Sequence, residues 1–122
     1  MTRPLLVLRP EPGNAATVAA ARILGRELGL RLEAVAAPLF HSEAVPWQAP
    51  ADPTVYAGLL AGSAALFRLG GAGLAGLRGV PVHAVGEATA AAALAAGFAV
   101  RQVAGGGLQP LVSALPPGLY LR

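Results

Sequence analysis

The sequence predicts an open α/β fold built on parallel strands. Three observations carry the prediction. Short continuous apolar runs, bounded by Pro or Gly, have the look of strands buried on both faces; stretches of helical character alternate with them; and glycines stand where those helices should end.

Leu5–Leu8 is the first such run, closed by Arg9-Pro10. The chain turns through Glu11-Pro12-Gly13, and Asn14 is placed as the N-cap of a helix carrying Val18, Ile23, Leu24 and Leu28 and stopping at Gly29. The run from Leu32 to Pro38 completes a β-α-β unit over residues 1–38. From Leu39 to Thr54 the pattern is neither helical nor alternating, and Pro46, Trp47, Pro50 and Pro53 mark a crossover linker. A second unit then spans 55–122. Val55–Leu60 is its first predicted strand, and Ser63–Leu69 a weak helix halted by Gly70-Gly71-Ala72-Gly73. Val80–Val85 is a strand ended by Gly86, and Glu87–Ala96 a strong helix with Gly97 as its stop. Phe98–Val103, Gly107–Leu115 and Leu119–Leu121 extend the alternation as strand, helix and strand. An apolar strand that begins just before Arg122 leaves ladder groups and apolar surface open, so a truncated fold that pairs with further copies of itself is the expectation.

Composition narrows the chemistry. The chain has 122 residues, 55% of them apolar, enough for a core but little more. With no cysteine, disulfides, thiolate metal sites and thiol nucleophiles are excluded. His41 and His83 stand far apart without ligand spacing, so no metal is expected. The longest uncharged stretch, Gln102–Leu121, is broken by Pro110, Pro116 and Pro117 and fails as a membrane span. Because the amino terminus enters a strand-like run directly, without signal-peptide regions, a cytoplasmic location is expected. All nine basic residues are Arg, giving a net charge of +3, but they are dispersed and few aromatics accompany them. That pattern argues against a nucleic-acid partner.

Gly71-Ala72-Gly73-Leu74-Ala75-Gly76 fits the dinucleotide pattern G-x-G-x-x-G, but a helix-like segment precedes it and no acid follows at the required distance. A phosphoreceiver domain would need carboxylates where Arg9 stands, and a flavin site a hydroxyl-rich loop where only Thr17 is near.

Two segments are more specific: Leu8-Arg9-Pro10 followed by Gly13, Asn14 and Thr17, and Ala84-Val85-Gly86-Glu87-Ala88-Thr89-Ala90 followed by Leu94 and Gly97-Phe98. Together and in order they resemble the uroporphyrinogen-III synthase family. Ala37-Pro38-Leu39-Phe40 resembles the place where the family chain leaves its first domain for its second, and Leu119-Tyr120-Leu121-Arg122 resembles a second-domain strand. The resemblance runs over essentially the whole chain and covers about half of a usual member. It departs at Ala61-Gly62-Ser63-Ala64-Ala65, where the family carries a Thr-Ser-x-Asn-Ala stretch, and Tyr120 does not match the family's functional tyrosine.

The resemblance implies a flavodoxin-like, doubly wound parallel fold in two domains. It also implies cyclisation of hydroxymethylbilane to uroporphyrinogen III, with loss of water and inversion of the last pyrrole through a spirocyclic intermediate, without a cofactor. A flexible polycarboxylate must then be held in one reactive shape, which suits arginine forks and helix-start amides. Arg9 at the end of the first strand, Ser63, Gly86, Glu87 and Thr89 are the candidate substrate-binding residues; no catalytic side chain is assigned. For Gly86 and Thr89 a strand-to-helix turn and a helix cap are equally compatible roles. His83 is expected to be a hydrogen-bonded core residue. The alternative function is a non-catalytic tetrapyrrole-binding or interaction module that retains part of the fold.

Overall fold

The computed structural model describes residues 2–122. The chain forms two units, one running to Glu43 and the other from Ala44 to Arg122.

In the first, strand β1 (Arg3–Val7) leads to helix α1 (Gly13–Glu27), which returns the chain to strand β2 (Leu32–Ala36). The strands pair in parallel, Arg3 opposite Leu32 through Val7 opposite Ala36. Val7, Val18 and Ala34 form the core of this unit, with Ala21 packed against it. Helix and strand approach closely because Gly25 has no side chain: a Cβ there would lie 3.3 Å from Leu32 Cδ1. Gly29, at φ +63°, turns the chain out of the helix as its position predicts.

Two expectations fail here. Leu5–Leu8 is not buried on both faces: Leu6 is 59% and Leu8 44% exposed. A two-stranded sheet covered by a single helix has one face packed, and only Val7 of β1 is buried in it. Asn14 is likewise not the N-cap. It lies inside α1, fully buried, and its Nδ2 donates to the carbonyls of Val7 at 2.7 Å and Arg9 at 2.8 Å. The capping carboxylate is Glu11, whose Oε2 accepts from the Ala15 amide at 3.1 Å.

The second unit opens with a 3-10 turn, Pro53–Val55, capped by Asp52. Strand β3 (Gly58–Ala61) follows, then α2 (Ala65–Leu69), a 3-10 segment (Ala72–Leu77), β4 (Val82–Val85), α3 (Glu87–Ala95), β5 (Val100–Ala104), α4 (Leu108–Ser113) and β6 (Tyr120–Leu121). The predicted third strand therefore starts later than Val55, because Pro53 and the Asp52 side chain hold Thr54 and Val55 in a turn. The sheet is parallel throughout, in the order β5-β4-β3-β6. One face of β3 and β4, carrying Leu59, Ala61, Val82 and Ala84, packs on Ala90 and Ala93 of α3 and on Leu74, Leu77, Val80 and Phe98. Small residues on strand and helix let α3 lie close to the sheet, and Phe98 meets Phe67 edge-on with ring centroids 5.3 Å apart.

The alternate positions hold a buried polar pair. His83 Nδ1 is 3.2 Å from Gln102 Oε1, and its ring meets Tyr120 edge-on at 5.8 Å. Gly58 makes room, since a Cβ there would fall 2.7 Å from His83 Cδ2. His83 is thus the hydrogen-bonded core residue expected of it. Behind α3, Gly97 adopts φ +88° and Arg78 Nε donates to the Ala96 carbonyl at 3.0 Å, closing the helix end.

Removing the Asn14 amide in Asn14→Ala should destabilise the first unit by about 2 kcal/mol, since the carbonyls of Val7, buried, and Arg9, partly buried, each lose a donor. Exchange of the Ala37 amide, which is bonded to the Val7 carbonyl at 2.9 Å, then accelerates roughly thirtyfold by NMR. Gly97→Ala combines a left-handed φ with a Cβ 3.2 Å from Arg78 Nε, and should cost at least about 1 kcal/mol in urea unfolding.

Candidate functional site

A parallel strand that runs into a helix brings two kinds of donor to one place: the side chains of the connecting loop and the first amides of the helix, which have no acceptor within it. Both units present such junctions.

In the first unit the junction follows β1. Arg9 lies across the first turn of α1, its Nη1 donating to Thr17 Oγ1 at 3.2 Å. Gly13 permits this position, because a Cβ there would come within 2.5 Å of the Arg9 guanidinium. Arg9 makes no ion pair with Glu11 among the described residues, and Glu11 caps the helix instead. One fork of the guanidinium is thereby steadied while the side chain remains exposed. Asn14 holds the end of β1 to the start of α1, so the loop bearing Arg9 is pinned on both sides. Its Oδ1 is buried without a partner.

In the second unit Ser63 and Gly86 follow neighbouring strands, β3 and β4, whose last paired residues are Ala61 and Ala84. They therefore share one end of the sheet. Ser63 Oγ accepts from the Ala65 amide at 3.1 Å, so the hydroxyl is engaged in starting α2. Gly86 sits at φ +82°, donates its amide to the Ala104 carbonyl at 2.9 Å and faces open space. Glu87 is exposed in the first turn of α3, where its charge complements the helix dipole. Thr89 is 5% exposed, so little of it stands open beside Gly86. What the junction offers beside these side chains is the backbone at Gly86 and at the start of α3.

One feature of this sheet end was not singled out in the sequence. After β5, Gly105-Gly106-Gly107 forms an open loop with φ values of +80° at Gly106 and +101° at Gly107, and nothing lies within 4 Å of a Cβ at any of the three. A run of three glycines directly between a strand and a helix was the available signal.

The remaining polar residues have structural places. Trp47 Nε1 donates to the Gly70 carbonyl at 2.7 Å and its ring covers Gly73, fastening the crossover segment down. His41 pairs with Glu43 in an exposed contact. Hydrogen bonds from the Thr54 hydroxyl and amide hold the Asp52 carboxyl below its usual range. The G-x-G-x-x-G segment falls in the 3-10 stretch after α2, with Leu74 and Leu77 turned into the core, and so lacks the strand-to-helix setting that a dinucleotide needs. Among the described residues no group of three or more His, Asp or Glu side chains could hold a metal ion, and no helix is long and apolar enough to cross a membrane.

Chemically, these junctions can bind anions through amides and one arginine. They bring together no acid–base pair. Compared with protein-family models and with curated proteins, the chain matches none of them.

Gly13→Ala tests how Arg9 is held. The added methyl displaces the guanidinium and breaks its bond to Thr17, while alanine favours the helix by up to about 1 kcal/mol. The expected outcome is a shifted Arg9 Nε–H resonance with the α1 amides unchanged or better protected.

Proposed function

We propose that the chain belongs to the uroporphyrinogen-III synthase type, in flavodoxin-like doubly wound form, and that its strand-to-helix junctions take the carboxylates of hydroxymethylbilane. One observation carries this: both segments on which the resemblance rests, Leu8–Thr17 and Ala84–Ala90, fall where a parallel strand enters a helix. That is where open α/β sheets bind ligands and where helix amides meet anions.

The proposed chemistry asks for position more than for catalytic groups. The bilane closes spontaneously without inversion of its last ring. To give the inverted product, the terminal rings must be held so that the substituted carbon of the last pyrrole reaches the hydroxymethyl carbon as water leaves, forming the spirocyclic intermediate. Arg9 offers a charged fork for a propionate or acetate. In the other unit the start of α3 after Gly86 offers an anchor of its own, and the positive φ of Gly86 keeps the approach to it free of a side chain. Glu87 would repel a ligand carboxylate, so at this junction the backbone is the ligating group and the side chain is not. The buried Thr89 supports the turn.

A specific observation favours the second role, binding without turnover. In Ala61-Gly62-Ser63-Ala64-Ala65 the family's threonine and asparagine are absent, and the serine oxygen accepts from the Ala65 amide. The two roles separate in one pair of measurements. Titration with freshly made bilane is expected to shift the amide resonances of Gly86, Ala88 and Arg9, and Arg9→Gln to weaken binding about three- to tenfold, as an exposed charge-assisted bond allows. Product chromatography is expected to show mainly the type I isomer with the 122-residue chain alone. Dominant type III product at enzyme-like rates would restore the catalytic role, and absence of any bilane-dependent shift would overturn both.

A further inference from the structure

A cleft of about 450 Å3 lies in the first unit, at the amino ends of β1 and β2 and beside the second half of α1. It is at the other end of these strands from Arg9. Arg22 and Arg26, one helical turn apart on α1, line it together with Leu30, Leu32 and Glu33, and Gly25 forms part of its wall. Arg22 Nη2 donates to the Ala34 carbonyl at 3.3 Å, which fixes the guanidinium against β2 and leaves its other N–H donors available. Among the described residues neither arginine is within ion-pair distance of a carboxylate, Glu33 included.

This wall combines charged and apolar features. Two guanidiniums without a carboxylate partner line an open cleft of a size that holds a small molecule, and Leu30, Leu32 and the bare backbone of Gly25 give that cleft an apolar side. The carboxyl end of α1 would by itself disfavour an anion; Arg26, in the last turn, offsets that field. Glu33 on the rim limits the negative charge that the cleft accepts.

We propose that this cleft binds a small monocarboxylate with an apolar body, its head group between Arg22 and Arg26 and its body along Leu30 and Leu32. The site is separate from the junctions assigned to the bilane and would act alongside them. A dianion without an apolar part, such as inorganic phosphate, satisfies the arginines but not the leucines and meets Glu33.

The test is an NMR titration of the full 122-residue chain with 3-phenylpropionate, its neutral amide, and inorganic phosphate. The carboxylate is expected to shift the Gly25, Leu32 and Ala34 amides saturably, with a Kd of about 1 mM, in keeping with two solvated arginines. Arg22→Gln and Arg26→Gln should each weaken it roughly three- to tenfold, and Glu33→Gln should tighten it about twofold. The amide and phosphate should bind at least about fivefold more weakly. No saturable shift, equal binding of the neutral amide, or unchanged affinity in both arginine variants overturns the proposal. Phosphate binding as tightly as the carboxylate overturns the apolar part. If an arginine variant loses amide dispersion, Glu33→Gln decides alone, and unchanged or weaker binding there counts against the site. Bilane-dependent shifts at Arg9 and Gly86 are measured separately on the unsubstituted chain, so failure here and failure of the bilane proposal are told apart.

Discussion

The constraint on which both units depend is the satisfaction of backbone polar groups where a parallel strand ends and a helix begins. The strand ladder runs out there, and the helix amides have not yet gained their partners. The first unit answers with a side chain: Asn14 reaches back from α1 and gives both its amide hydrogens to the carbonyls of Val7 and Arg9. The second answers with the backbone, Gly86 turning through a positive φ so that its amide reaches the Ala104 carbonyl on the next strand. Each solution also fixes what the junction can offer a ligand. A side-chain staple leaves Arg9 held over the helix start, and a glycine turn leaves the start of α3 without a side chain at Gly86.

The small-residue composition follows the same logic at the level of packing. Ala61, Val82, Ala84 and Ala93 are wholly buried in the second unit, so helix and sheet meet at short range with little side-chain volume between them. Wherever the backbone comes closer still, a glycine stands, as Gly58 does under His83 and Gly25 against Leu32. Such packing buries little apolar area per residue and leaves few side chains free for chemistry. The proposed binding of a polycarboxylate would then rely on amides and on the arginines.

The arginines divide by what holds them. Arg78 closes α3 and is structural; Arg9 rests on Thr17 above Gly13; Arg22 leans on Ala34 while Arg26 stands beside it. Arg78, Arg9 and Arg22 are each placed by a single hydrogen bond, with no paired carboxylate among the described residues. A guanidinium steadied by one neutral acceptor keeps most of its fork for an anion, whereas a salt-bridged one has spent it.

The sequence by itself determined the order of elements, the parallel α/β class, the helix stops at Gly29 and Gly97, and the dismissal of the G-x-G-x-x-G segment. All of these depend on local patterning, on which residue can take a positive φ, and on which segments can precede a helix. Tertiary structure decided the rest. Asn14 has the same local look as a cap or a staple, and only the position of the Val7 and Arg9 carbonyls turns it into a staple. Leu6 and Leu8 read as doubly buried, yet exposure depends on how many layers cover a strand, which the strand's own residues do not encode. Thr89 and Gly86 are three residues apart, but the helix turns one side chain inward while the other position stays open. The cleft beside Arg22 and Arg26 was illegible for the same reason: it joins the end of a helix to the start of a strand, and a cavity is a property of the surfaces that enclose it.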